Sequence, residues 1–270
     1  MTTQTTIESR LLTHQDAGSL WPADLQSALP EDVAQAYQTA LKVRQQRIAR
    51  GEVARGFKIG FTNHNIWPLY KVFGPIWGTM YDSTLTWCDG ETELSLSQRC
   101  QPRLEPEAVF GMKATPPAGA SIEALFQCID WVAPGFEIVQ SHAPGWKFNA
   151  AMTVADGGLH SHLVVGQRVP VNTIAASAQS FNALFSSCQV TLQKNGAPVE
   201  TGVGANVLDG PLLALRHFLG ELRACPGAPD LQAGDVVTTG TWTDAWPIQA
   251  GDTWAAKFAA PLPALSVNFR

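Results

Sequence analysis

The first 55 residues carry side chains at helical spacing. From Glu31 to Arg50, the residues that would form one face of a helix recur every three or four positions. They are Val33, Tyr37, Leu41, Arg44 and Ile48. Pro30 suits the first turn of this helix, and Gly51 is placed to end it. Residues 6–29 have the pattern of shorter helical pieces. The sequence therefore predicts an N-terminal helical region over residues 1–55.

Short apolar runs bounded by Gly, Pro and Asp follow, and they predict a β-rich body over residues 56–270. Asn195-Gly196 tolerates positive φ and predicts a hairpin between 190–194 and 198–202. Regularly spaced leucines predict a second helix over 204–223. Gly234-Asp235 and Gly251-Asp252 each predict a turn before a strand. We expect the segments 89–101 and 115–119 to be connections, and the fold class to be α+β.

Composition narrows the class of protein. Only 15% of the 270 residues are charged, against about 25% in an average domain, and the net charge is −5. With 45% hydrophobic residues the chain can bury a core, which excludes a disordered chain. Scattered basic residues argue against nucleic acid and anionic membranes as partners. No signal peptide or membrane-spanning run is visible, so we expect a cytoplasmic protein whose five cysteines are reduced thiols.

Three acids stand in apolar surroundings. Glu105 and Glu107 are two residues apart, so in a strand they share one face at roughly 6–7 Å. They belong either to a solvated edge strand, which Pro106 would tolerate, or to a buried site that holds a cation. Glu137 is the only charge in the run 131–139, so it forms either a buried salt bridge or a third ligand. Three converging carboxylates would suit Mg²⁺ or Mn²⁺.

Lys58 lies between Phe57 and Ile59, in a run bracketed by Gly56 and Gly60. A lysine in an apolar strand is either an edge residue that reaches solvent or an ammonium directed at an anionic ligand. His160-Ser161-His162 has strand-like metal spacing, but neither imidazole has an obvious third partner. We therefore expect these histidines to have a surface or cavity-wall role.

Several segments, taken together, carry a family resemblance. They are Gly56-Phe57-Lys58-Ile59-Gly60-Phe61-Thr62, the segment 75–82, Glu105 and Glu107 with Glu137-Ile138-Val139, Thr153-Val154-Ala155-Asp156, Gly202-Val203-Gly204-Ala205-Asn206, 234–241, 250–252 and 265–269. Their order and spacing resemble the 2-oxopent-4-enoate (2-hydroxypentadienoate) hydratases. With the 4-oxalocrotonate decarboxylases, these form a branch of the fumarylacetoacetate hydrolase superfamily. The resemblance runs from about residue 56 to the end.

The resemblance implies a mixed β-sheet roll behind a small helical region. It implies that Glu105, Glu107 and Glu137 bind the divalent metal, Mg²⁺ or Mn²⁺, and that Lys58, Asp82 and Thr241 surround the substrate. The implied reaction is addition of water to a 2-hydroxy-2,4-dienoate, giving a 4-hydroxy-2-oxoacid, in aromatic-compound catabolism. Lys58 would neutralise the substrate carboxylate or assist proton transfer, and Asp82 or a metal-shell glutamate would act as general base.

Other functions stay open. A decarboxylase of a 2-oxo-3-enedioate such as 4-oxalocrotonate would use the same metal chemistry. An acylpyruvate hydrolase of this superfamily typically carries a His-x-x-Glu pair, and none of the six histidines has Glu three residues on. A catalytically idle partner subunit is the remaining alternative. The resemblance also implies a homo-oligomer and a possible complex with a pathway partner enzyme, and the sparse charge agrees with a surface partly covered by assembly.

Overall fold

The computed structural model describes residues 6–270. Eight α-helices lie in this range: α1 Ile7–Ala17, α2 Ala23–Ala28, α3 Val33–Ala49, α4 Trp67–Tyr70, α5 Ile122–Phe126, α6 Ala150–Ala155, α7 Ala178–Ser187 and α8 Pro211–Ala224. The first three confirm the predicted helical pattern. Thr6 caps α1 by accepting from Ser9 N, and Asp32 caps α3 by accepting from Gln35 N. Because Asp32 is the cap, α3 begins two residues later than the periodicity predicts.

The strands lie between and after these helices, from residue 54 onward. They are β1 Ala54–Gly60, β2 Ile76–Tyr81, β3 Leu85–Trp87, β4 Glu91–Leu94, β5 Arg103–Met112, β6 Ile129–Val139, β7 His160–Val165, β8 Val169–Pro170, β9 Gln189–Lys194, β10 Ala197–Val203, β11 Val236–Thr238, β12 Trp246–Pro247, β13 Thr253–Phe258 and β14 Leu265–Phe269. The predicted hairpin is β9–β10, and the two predicted Gly-Asp turns precede β11 and β13. The mixture of helices and mixed sheets confirms the α+β class.

Two sheets organise the body. The larger has nine strands in the order β2-β1-β11-β5-β6-β7-β3, with β12 paired to β5 and β8 paired to β6. The smaller has five strands in the order β10-β9-β13-β14-β4. The long strands β5 and β6 are antiparallel neighbours at the centre of the larger sheet. β5 is therefore not an edge strand, and the solvated-edge interpretation of Glu105 and Glu107 is wrong.

The N-terminal helices share one hydrophobic core with the sheets. Leu11 of α1 and Tyr37 of α3 belong to the same buried cluster as Phe110 and Phe136 of the central strands. Tyr37 stacks on Trp77 with ring centroids 4.6 Å apart, and its hydroxyl accepts a hydrogen bond from Trp77 N at 3.0 Å. The helical region is thus packed directly against β2, the strand that contains Trp77.

Two predictions of local structure are wrong. The helix predicted over 204–223 is α8, and it begins at Pro211, not at residue 204. Leu208, Asp209 and Gly210 have positive φ, which a right-handed helix does not accommodate. The segment 89–101 is not only a connection, since β4 lies in it and pairs in parallel with β14. Periodicity missed β4 because its residues, Glu-Thr-Glu-Leu, bury one side chain only.

The five cysteines are free thiols. Within residues 6–270, no helix is long and apolar enough to span a bilayer.

Candidate metal centre and substrate cavity

Three carboxylates meet where β5 and β6 pair. Glu105 lies directly opposite Glu137, and the two-residue period of β5 puts Glu107 on the same face as Glu105. Glu107 and Glu137 are both fully buried. One oxygen from each of the three carboxylates lies within 4.8 Å of the others. The structure thus brings together the three acids that the sequence singled out.

Glu107 is held by the loop after β11. Its Oε2 accepts hydrogen bonds from Thr239 N at 2.9 Å and from Gly240 N at 2.6 Å. Gly240 has φ +95°, and a Cβ there would overlap the Thr62 side chain, so glycine is required for this approach. The other oxygen, Glu107 Oε1, is buried with no hydrogen-bond partner among the described residues.

Glu137 lies between two nitrogen groups. His160 Nδ1 donates to its Oε1 at 2.9 Å, and Lys58 Nζ lies 3.3 Å from its Oε2. Oε2 accepts no hydrogen bond within the described part of the chain. The Lys58 side chain is only 4% exposed, which excludes an edge residue that reaches solvent. Glu137 therefore forms the buried ion pair and also belongs to the carboxylate cluster.

The electrostatics of the cluster favour a cation. Burial raises the pKa of Glu105 to about 7 and, with repulsion from the other two acids, raises the pKa of Glu107 well above its usual range. Burial also acts on Glu137, but Lys58 and His160 outweigh it and lower its pKa. Three acids share one ammonium, and Glu107 Oε1 is buried with neither a hydrogen bond nor an ion pair among the described residues. All the ligand atoms that the three acids offer to a metal are hard carboxylate oxygens, so the residues fit Mg²⁺ or Mn²⁺.

A cavity of about 550 Å³ opens beside this cluster. Lys58, Glu105, Gly240 and Thr241 line one part of it. An aromatic wall lines another part, formed by Phe61, Tyr70, Phe148 and Trp146. Successive rings in this wall contact one another, with centroids 4.6, 5.8 and 6.0 Å apart. The cavity can therefore hold a short, flat carbon chain with a polar end at the carboxylates.

Thr241 lies in the cavity wall, but its hydroxyl is engaged locally. Thr241 Oγ1 donates to Thr243 O at 3.0 Å and accepts from Thr243 N at 3.3 Å. This pair of bonds fixes the loop that follows Gly240. A direct substrate contact through Thr241 stays a prediction.

Asp82 is not brought to the site. It is exposed in the turn after β2 and is not among the residues that line the cavity. Its carboxylate accepts from Val53 N and Ser83 N, both at 3.0 Å, and these backbone hydrogen bonds hold its pKa below the usual value. The structure thus places the Asp82 side chain in a turn outside the cavity, whereas Glu105, a glutamate of the expected metal shell, lines it.

His160 is the residue that sequence reasoning missed. Besides Glu137, it contacts Thr84, whose Oγ1 is 3.0 Å from His160 Nε2. The cause is the register of β6 and β7, which places His160 opposite Val139 beside the cluster. The only sequence signal was the His-x-His alternation at the start of an apolar strand, and that pattern alone does not specify a partner.

No protein-family model matches the chain, but individual relatives do. It is 32% identical over 222 residues to the 2-hydroxyhexa-2,4-dienoate hydratase of Comamonas testosteroni, covering 82% of this chain and 80% of that one. It is 28% identical over 226 residues to the 4-oxalocrotonate decarboxylase of Pseudomonas sp. strain CF600, covering 83% and 81%.

Solved structures agree with the fold. The 4-oxalocrotonate decarboxylase of Pseudomonas putida G7, complexed with magnesium and adipate, superposes with a TM-score of 0.87 at 24% identity, covering 98% of this chain and 96% of that one. The fumarylpyruvate hydrolase of Pseudomonas aeruginosa, complexed with Mn²⁺ and pyruvate, gives 0.56 at 15% identity, covering 80% and 89%.

The fold is that of the fumarylacetoacetate hydrolase superfamily, and the oxygens of Glu105, Glu107 and Glu137 lie close enough together to hold a metal ion. Within that class, the chain belongs to the family that contains the 2-hydroxydienoate hydratases and the 4-oxalocrotonate decarboxylases. These relatives are lyases, which agrees with the predicted enzyme class. The metals named for the solved relatives agree with the predicted Mg²⁺ or Mn²⁺.

Proposed function

We propose that the protein is a divalent-metal-dependent hydratase that adds water to a 2-hydroxy-2,4-dienoate and yields a 4-hydroxy-2-oxoacid, in aromatic-compound catabolism. The observation that carries the proposal is the buried cluster of Glu105, Glu107 and Glu137, joined to Lys58 at one end of an aromatic-walled cavity. The 32% identity to a dienoate hydratase supports it over most of the chain.

Glu105, Glu107 and Glu137 would hold the metal through carboxylate oxygens, among them the buried Glu107 Oε1, which has no hydrogen-bond partner among the described residues. Bound there, Mg²⁺ or Mn²⁺ supplies Lewis-acid stabilisation of negative charge on the substrate's C2 oxygen and carboxylate. His160 orients Glu137 from the side opposite Lys58, through the bond to Oε1. The loop amides of Thr239 and Gly240 orient Glu107 in the same way.

Lys58 supplies the fixed positive charge of the site. Three carboxylates outweigh the effect of burial and raise its pKa, so Nζ stays protonated. An ammonium at this place neutralises the substrate carboxylate. The aromatic wall packs on the conjugated chain and limits bulk water, which strengthens each of these charge interactions.

The hydration needs two proton additions. The enol loses its proton from the C2 oxygen, carbons C5 and C3 each gain a proton, and the water oxygen bonds to C4. The group that accepts a proton from water must line the cavity, which Asp82 does not. Among the described residues, the carboxyl groups that line it are Glu105, Glu200 and Asp244.

The decisive experiment is to incubate the protein with Mg²⁺ and 2-hydroxypenta-2,4-dienoate. The loss of the dienol absorbance is measured over time, and the product is then analysed. We expect a 4-hydroxy-2-oxoacid with one oxygen from solvent and no carbon dioxide. Omission of metal is the control. A substrate that remains unchanged in the presence of Mg²⁺ would refute the proposal.

Decarboxylation of 4-oxalocrotonate is the second candidate. It is favoured by the 28% identity to one such enzyme and by the fold match that spans 98% of the chain. The same assay with 4-oxalocrotonate separates the two reactions, since carbon dioxide release without oxygen uptake from water identifies a decarboxylase.

We further propose that the chain forms a homo-oligomer and that this homo-oligomer associates with a pathway partner enzyme. Exposed apolar side chains support this, among them Phe73 at 92% and Leu69 at 73% exposure. Sedimentation of the purified protein tests the proposal, and a monomer at micromolar concentration would contradict it.

A further inference from the structure

Each of the two histidines of β7 contacts a threonine in or next to β3. The two strands run parallel to each other in the larger sheet. His160 Nε2 is 3.0 Å from Oγ1 of Thr84, which lies just before β3, and His162 Nε2 is 2.8 Å from Oγ1 of Thr86, which lies in β3. The two pairs have the same chemistry, so any difference in their roles comes from what the other nitrogen of each ring contacts.

That other nitrogen, Nδ1, separates the two pairs. His160 Nδ1 donates to Glu137 Oε1 at 2.9 Å, so the pair of Thr84 and His160 ends at a proposed metal ligand. His162 Nδ1 is buried with no hydrogen-bond partner among the described residues, so the pair of Thr86 and His162 ends at no acid. The first pair can therefore act on the carboxylate cluster through hydrogen bonds, and the second cannot.

Glu137 needs a fixed orientation because Lys58 attracts both of its oxygens. Lys58 Nζ lies 3.3 Å from Oε2, and neither side chain is more than 4% exposed, so water does little to weaken the attraction. A carboxylate that turned both oxygens to the ammonium would be withdrawn from a metal shared with Glu105 and Glu107. The hydrogen bond from His160 engages Oε1 and so fixes the plane of the carboxylate.

The imidazole of His160 can fix that plane only if its own ring is held. The torsion that turns a histidine ring has a broad, roughly two-fold preference, so a contact at one nitrogen leaves the ring free to swing or flip. Thr84 Oγ1 supplies the second contact, at Nε2. A hydroxyl both donates and accepts, so it is a suitable partner whether that nitrogen donates or accepts.

The Thr84 hydroxyl is itself fixed by the turn between β2 and β3. Tyr81 N donates to Oγ1 at 3.1 Å, and Tyr81 O lies 3.2 Å from the same atom. Asp82 Oδ1 accepts from Ser83 N at 3.0 Å and stabilises the same turn. A series of hydrogen bonds therefore leads from a backbone turn outside the cavity to the carboxylate of Glu137.

We propose that Thr84 is a positioning residue of the metal centre: its hydroxyl fixes the His160 ring, which in turn fixes the Glu137 carboxylate for the metal. This inference rests on the proposed function, in that it assumes a divalent metal at Glu105, Glu107 and Glu137. It assigns no chemical step to Thr84 or His160. Its effect is on the metal affinity of the centre, which hydrogen bonds to metal ligands change by about tenfold to a hundredfold.

The test measures the Mg²⁺ affinity of the whole protein by calorimetric titration. T84V keeps the shape of the side chain and removes the hydroxyl, and T84A removes it without a second branch at Cβ. We expect both variants to bind Mg²⁺ about tenfold more weakly than the wild type, or worse. T84S restores the hydroxyl and should bind within about threefold of the wild type. T86V is the matched control, because it removes the same kind of hydrogen bond to a histidine of β7, and its affinity should also stay within about threefold.

A double variant tests whether Thr84 acts through His160. H160L removes both ring nitrogens and should weaken Mg²⁺ binding by about tenfold or more. T84V/H160L should bind no more weakly than H160L alone, because the threonine then has no imidazole to hold.

The outcomes separate this inference from the proposed function. Equal Mg²⁺ affinity in the wild type and T84V, whatever the stability of the variant, would overturn the inference and leave the metal centre intact. Additive losses in T84V/H160L would do the same, because Thr84 would then act by another route. No Mg²⁺ binding by the wild type would overturn both.

Discussion

Two of the places where acids are buried in this protein, Asp156 and the cluster of Glu105, Glu107 and Glu137, have different surroundings. Asp156 is 2% exposed, and both of its oxygens are satisfied by His142, with Nδ1 at 2.6 Å from Oδ1 and N at 3.0 Å from Oδ2. In the cluster of Glu105, Glu107 and Glu137, two fully buried oxygens accept no hydrogen bond from the described residues.

The difference separates a structural site from a functional one. The Asp156–His142 pair fastens the N-terminal region to the body, because Trp21 stacks on the His142 ring at 5.8 Å and donates from its backbone N to His142 O at 2.8 Å. The buried atom of this pair without a hydrogen-bond partner among the described residues is His142 Nε2, which belongs to an imidazole and not to a carboxylate. Buried carboxylate oxygens without donors are costly, so a fold retains them where a cation is to be bound.

The largest expected effect comes from Glu107→Gln. The variant should lose Mg²⁺ binding and at least 100-fold in turnover, because it removes one of three charged ligands. Without metal, its free energy of unfolding should equal or exceed that of the wild type, since a repelled buried charge is gone. Calorimetric titration and urea unfolding check the two parts. Mg²⁺ at 100 times its Kd should stabilise the wild type by about 2.7 kcal/mol and the variant not at all. Retention of full activity would remove Glu107 from the metal centre.

The opposite pattern is expected for Asp156→Ala. It should lower the free energy of unfolding by about 3 kcal/mol, because the buried donors of His142 lose their acceptor. Mg²⁺ affinity of the folded variant should stay within threefold of the wild type. Urea unfolding and calorimetry measure both quantities, and Asp156→Asn, which keeps one acceptor, should lose less. A large loss of Mg²⁺ affinity in folded Asp156→Ala would show that the two clusters are not independent.

The smallest expected effect concerns His162, which is two residues from His160 and has its Nε2 2.8 Å from Thr86 Oγ1. Burial lowers its pKa to about 3 from the usual 6.5, so below pH 6.5 the unfolded chain binds a proton that the folded chain does not. Stability should therefore fall on acidification, by up to about 1.4 kcal/mol per pH unit from this group.

His162→Gln removes that dependence. Between pH 7.5 and pH 5, the wild type should lose about 2 kcal/mol more than the variant, as measured by urea unfolding at both values. His217, which is exposed, offers a control: His217→Gln should keep most of the wild-type dependence. Equal losses in the wild type and His162→Gln would mean that His162 is protonated in the folded chain.

Much of the site could be predicted from local sequence. The period of a strand puts Glu105 and Glu107 on one face wherever that strand lies, and an isolated charge such as Glu137 in an apolar run must find a partner. The same argument gave two interpretations of Lys58: an edge residue that reaches solvent, or an ammonium directed at an anionic ligand. The hairpin at Asn195-Gly196 and helix α3 followed from residue preferences that act over a few positions.

What the sequence did not reveal at the site concerns which segments become neighbours, whereas the misplaced start of α8 concerns local backbone conformation. Asp82 looked comparable to the other acids in sequence, but the chain turns after β2 and its carboxylate caps Val53 N and Ser83 N. His160 gained its role from the register between β6 and β7. The start of α8 moved because the residues before Pro211 take positive φ, which a leucine spacing does not reveal.

The sequence by itself determined which residues could carry the chemistry: a chain with few charges places three acids and a lysine in apolar strands, a pattern that suits a buried cation site. Tertiary structure decided which groups hold each carboxylate of the cluster, and that His160 and not Asp82 contacts it. The reason is physical. Side-chain alternation is a property of one strand, whereas burial, hydrogen-bond partners and free charges depend on strand pairing across distant parts of the chain.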